Sequence, residues 1–92
     1  YYSVCGQLKT MLDRANPLVG SDYAFTEAYL LATAAESGRS TFDGVKKAVQ
    51  GWVDCFPRCT LAGTVFAGGV NGVGEITGRP ALEQARRMGM GV

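Results

Sequence analysis

The sequence predicts an α/β fold on a parallel sheet, in the order helix, strand, helix, strand, helix. Three observations predict it. Two short runs, residues 28–34 and 59–67, have strand length, and the first is nearly all apolar without alternation. Between them Phe42, Val45, Val49, Trp52, Val53 and Phe56 recur at helical spacing. Strands alternating with helices form parallel sheets, with helices on both faces and right-handed crossovers.

The first element is a loop running into a helix. Tyr1, Tyr2, Ser3, Val4, Cys5, Gly6 and Gln7 are aromatic, small or polar, a surface suited to a flat ring. Leu8, Met11, Leu12 and Ala15 then mark a one-sided helical stripe. Pro17 disfavours helix at Asn16, and Gly20 with Asp22 adds turn chemistry. The run at 28–34 reads as a strand buried on both faces, with a buried helix segment as the rival reading.

Residues 35–41 are a polar loop. Ser40 or Thr41 is expected to cap the next helix, with Asp43 in its first turn. Gly44 and Gly51 each weaken that helix by about 1 kcal/mol relative to Ala, and Pro57 stops it. Trp52 lies in register with the apolar stripe and reads as a core anchor. In the second strand, Gly63 marks a place where a helix comes close. The glycine-rich stretch 68–78 lacks Gly-Lys-Ser/Thr, so it reads as a mobile connection rather than a phosphate cradle. Pro80 suits the first position of a last helix, with Leu82, Ala85 and Met88 on its apolar face. Arg86 and Arg87 near its end read as a solvated helix terminus.

Composition narrows the function classes. Ninety-two residues make one small domain, and such a chain buries only about 60–65% of its unfolded surface. A net charge of +1 gives no electrostatic case for nucleic acid or an acidic membrane. No apolar run reaches the roughly 20 residues of a membrane span. Cys5, Cys55 and Cys59 are odd in number, and their spacing fits neither a disulfide framework nor a zinc site. They read as reduced thiols of a cytoplasmic protein. With no histidine there is no Ser/His or Cys/His pair, and no catalytic side chain or metal site is assigned.

The stretch 1–14 carries a resemblance. Tyr1-Tyr2-Ser3-Val4-Cys5-Gly6-Gln7, followed by Leu8, Lys9, Asp13 and Arg14, is similar to the flavin-facing loop and following helix of flavodoxin-like NAD(P)H-dependent FMN reductases. The later segments fall in that family's order, so the resemblance spans nearly the whole chain but only the C-terminal half of the family's domain. It implies a partial flavodoxin-like sheet, FMN as cofactor and NAD(P)H as co-substrate. The implied reaction is hydride transfer to FMN and on to a quinone, free flavin or other acceptor. Tyr1, Tyr2, Ser3, Val4, Cys5, Gly6 and Gln7 would form one wall of the flavin slot, and Ala34, Ala35 and Glu36 another. The Ser3 hydroxyl and the N–H groups of Val4 to Gln7 would face the ring's polar edges.

The family's phosphate-binding loop has no counterpart here. Two strands alone leave an apolar edge that must be covered. The sequence therefore predicts completion by an N-terminal fragment or by a second copy in a homodimer. The rival function is a truncated, non-catalytic half-domain that self-associates or binds a partner; an intact electron-carrying flavodoxin fits less well.

Overall fold

The computed structural model describes residues 1–92. Helix α1 (Gly6–Arg14) leads through a 3₁₀ turn (Asn16–Leu18) to strand β1 (Glu27–Thr33). Helix α2 (Arg39–Val53), strand β2 (Thr60–Ala67) and helix α3 (Pro80–Met90) follow. β1 and β2 pair in parallel, so the molecule is α/β with a two-stranded parallel sheet and three helices. Leu30 pairs with Thr64 and Leu31 with Val65. One extra residue, Ala62, sits between the Ala28–Leu61 and Tyr29–Gly63 pairs.

The alternation of a strand sends its residues to two faces. On one face Leu30 meets Val49 and Val53 of α2, which packs across both strands. On the other, Val65 and Ala67 meet Ala81 of α3, which packs on β2. The α2 face holds most of the core. Phe56 and Val53 are each 1% exposed. Phe56 sits edge-on to Tyr23 and Phe25, with Trp52 4.8 Å away. Trp52 stacks on Phe25, and its indole N–H donates to the Leu12 carbonyl at 3.2 Å, tying α1 to α2. It serves as the anchor its register predicts.

Gly63 also has the expected role. A Cβ there would lie 2.7 Å from Met88 Sδ of α3 and 3.1 Å from the Tyr29 ring.

Four expectations need correction. The α2 N-cap is Gly38, with no side-chain cap; Ser40 and Thr41 lie inside the helix. Thr41 is buried and its hydroxyl turns to Glu36 instead. No acidic residue occupies the first turn of α2, because the earlier start moves Asp43 past it. Phe56 lies beyond the helix end, reaching the same cluster from the following turn. Finally, β1 is not buried on both faces: Leu30 is buried but Leu31 is 61% exposed, because α3 lies over β2 and leaves β1 open.

Candidate functional site

Ligands of open parallel sheets bind beyond the carboxyl ends of the strands. There, after β1, Tyr1, Tyr2, Ala34, Ala35, Glu36 and Thr41 line an open cleft of about 410 Å³. Two loops meet beneath it. Val70 N–H donates to the Ala34 carbonyl at 3.0 Å. Gly68 passes so close that a Cβ would lie 2.7 Å from Ser37 Cα and 3.0 Å from the Glu36 carbonyl. Only glycine fits that approach.

The N-terminal segment is fastened over the cleft. The Tyr2 hydroxyl donates to Glu36 Oε1 at 2.7 Å. The Thr41 hydroxyl faces the other carboxylate oxygen at 3.5 Å. Tyr2 has φ of 60°, a strained backbone for a bulky side chain. Its carbonyl oxygen sits against Gly44 of α2, where a Cβ would collide with it. Gly44 therefore seats this segment, a role its helix propensity alone does not reveal. The hydrogen bond to the Glu36 carboxylate, helped by its charge, holds the Tyr2 phenol above its ordinary pKa.

Of the residues assigned from the sequence, the structure brings Tyr1, Tyr2, Ala34, Ala35 and Glu36 together. It does not bring Ser3, Val4, Cys5, Gly6 or Gln7 to that cleft. Val4 is half-buried against the α2-side cluster, and the other four are exposed. The turn at Tyr2 directs the chain down toward α2 and α1. Sequence reasoning missed Thr41, which it read as a cap. Its signal was its position five residues after Glu36, just inside a helix start.

The glycine-rich connection is tied rather than free. Arg79 donates to the Gly69 carbonyl at 2.9 Å, and Asn71 N–H donates to Glu75 Oε2 at 2.6 Å. That bond holds the Glu75 carboxyl below its usual range. The three cysteines are unpaired; Cys5 and Cys55 are exposed and Cys59 is buried. Burial pushes the Cys59 thiol up, and the Glu27 charge adds to this. Asp13 pairs with Lys9 at 2.8 Å within α1. No group of three or more His, Cys, Asp and Glu is placed to hold a metal ion. No helix is long and apolar enough to cross a membrane.

The cleft fits one part of FMN and not another. Two tyrosines and two alanines among its lining residues suit a flat ring. The phosphate finds no counterpart, since the one charged side chain lining the cleft is the Glu36 carboxylate. A phosphate dianion placed there meets like charge. Comparison with protein-family models, curated proteins and solved structures finds no match to this chain.

Proposed function

We propose that this chain is the C-terminal half of a flavodoxin-like oxidoreductase, and that its cleft after β1 is one wall of the flavin ring site. The observation that carries this reading is the Tyr2–Glu36 bridge, which closes the resembled loop over the carboxyl end of a parallel strand. The reaction class is hydride transfer from NAD(P)H to the flavin and on to an acceptor such as a quinone or free flavin. That chemistry would belong to the flavin, and the chain's part would be to hold one face of the ring. A phosphate grip would have to come from residues outside this chain.

Quenching of flavin fluorescence on titration tests this reading. Riboflavin should quench saturably, FMN should bind more weakly, and Tyr2→Leu should weaken both. Flavins that keep their free fluorescence at high protein concentration would remove the reading.

A second reading keeps the half-domain and drops the chemistry: a non-catalytic module that self-associates or binds a partner. The observation favouring it is the uncovered edge of β1 in a two-stranded sheet, with Leu31 61% exposed beside it. Consumption of NAD(P)H by flavin-loaded protein separates the two.

A further inference from the structure

We infer that the free edge of β1 pairs antiparallel with the same edge of a second copy of this chain, with Leu30 on the two-fold axis. The result is a four-stranded sheet in the order β2-β1-β1-β2. This goes beyond the flavin reading and does not depend on it.

The edge can be read from the hydrogen bonds at its ends. The Thr26 carbonyl accepts from Thr60 N–H at 3.0 Å, and Ala34 N–H donates to the Ala67 carbonyl at 3.1 Å. Strand alternation therefore turns the even-numbered residues between them toward β2. Glu27, Tyr29, Leu31 and Thr33 turn their N–H and C=O groups to the open side. From Ala28 to Thr33 this edge has no Lys, no Pro and no extra residue. Those are the devices that protect edges. The outer edge of β2 has such a device, the extra residue Ala62, followed by Gly63.

The exposed surface is large enough to supply such an interface. The chain exposes 6443 Å² and has a radius of gyration of 14.2 Å. A compact monomer of this mass exposes about 5,100 Å². Its radius of gyration would be about 12 Å. The excess is roughly 1,300 Å² per chain, more than the ~800 Å² per partner that a standard interface takes up.

The edge also complements itself. With Leu30 on the axis, Glu27 lies opposite Thr33 of the second copy, and Tyr29 lies opposite its Leu31. All four outward residues are used, no like charges meet, and the pairs are carboxylate with hydroxyl and aromatic with aliphatic. Leu31, 61% exposed in the monomer, opens onto an apolar groove of about 230 Å³ with Val65, Ala81, Leu82 and Ala85. Tyr29 of the second copy would enter on that same face. A closed two-fold pair of this kind is the commonest oligomer.

Sedimentation and residue-resolved amide exchange on the wild-type chain test the inference together. The expected mass is double the 9.7 kDa of the chain. The Tyr29, Leu31 and Thr33 amides should be protected, and that protection should fall on dilution. Leu31→Lys, at an exposed position, should abolish the dimer and this protection while the far-ultraviolet circular dichroism is retained. If Leu31→Lys does not fold, the wild-type dilution series decides alone. A monomer at millimolar concentration overturns the inference, as do amides whose protection ignores dilution, or a different polypeptide paired to this edge. Loss of flavin quenching with the dimer intact would remove the flavin reading and leave this one standing.

Discussion

Glu36 is the residue on which the cleft turns. Its carboxylate takes the Tyr2 hydroxyl on one oxygen and faces the Thr41 hydroxyl with the other. The bond favours the neutral phenol, so the raised Tyr2 pKa implies that its stabilising contribution is complete below the ordinary phenol pKa. That contribution is lost as pH rises through the folded value. The N-terminal segment should thus stay fastened at neutral pH and release in alkali. Ultraviolet titration of phenolate should show Tyr2 ionising late, and Glu36→Gln should return it toward its ordinary range. A Tyr2 transition that Glu36→Gln leaves unchanged would mean that the bridge does not form.

Two glycines of α2 make a contrast at the same scale. A Cβ at Gly51 meets nothing within 4 Å. Gly51→Ala should therefore raise stability by up to about 1 kcal/mol, read as a higher melting midpoint. At Gly44 the same change collides with the Tyr2 carbonyl. Gly44→Ala should free the first residues of the chain, seen as faster proteolysis there and a normal Tyr2 titration. Equal stabilisation by both changes would contradict the seating of Tyr2 on α2.

At the scale of elements, the helices and strands were legible because their apolar residues keep a period or a length. Val49, Val53 and Trp52 announce α2, and Pro80 announces α3. What was not legible depends on the meeting of distant segments. Tyr23 and Phe25 stand in a stretch with turn chemistry and no period, yet they pack around Phe56. Arg58 fixes that corner: its guanidinium lies 4.3 Å over the Tyr23 ring and donates to the Tyr23 carbonyl at 2.8 Å. Ser40 and Thr41 looked like caps because their side chains can cap, but Gly38 took the position and the buried Thr41 serves the cleft. Part of the cleft lining was legible from chain order: Tyr1 and Tyr2 lie in the opening loop and Ala34, Ala35 and Glu36 follow β1, whereas the turn at Tyr2 that carries Ser3 to Gln7 away leaves no trace in composition.

Phe56 is the sharpest probe of this packing. Phe56→Ala empties a site that is 1% exposed and touches three aromatic rings, at a cost of about 3–5 kcal/mol. Chemical denaturation should show the loss; a cost below about 1 kcal/mol would disprove the assigned core.

At the scale of the molecule, only 10 of 92 residues are buried, and the two clusters lie on opposite faces of a two-stranded sheet. Such a sheet has little stability alone. Leu30, at 6% exposure, lies in the α2-side core and on the proposed axis. Leu30→Asp places an unpaired charge in both and should leave the chain unfolded. A soluble Leu30→Asp variant with unchanged melting would remove the buried side of β1. The open side of β1 is where this two-stranded sheet is left uncovered, so its occupant decides whether the fold stands alone.

The most direct measurement is therefore intact mass under native and denaturing conditions on one sample, with an absorbance scan through the flavin bands. Native conditions should give twice the 9.7 kDa chain mass, and denaturation a single 9.7 kDa species. Flavin absorbance should survive removal of free ligand. A chain that stays at 9.7 kDa under native conditions, cooperatively folded at every concentration, would contradict the claim that this fold is completed along β1.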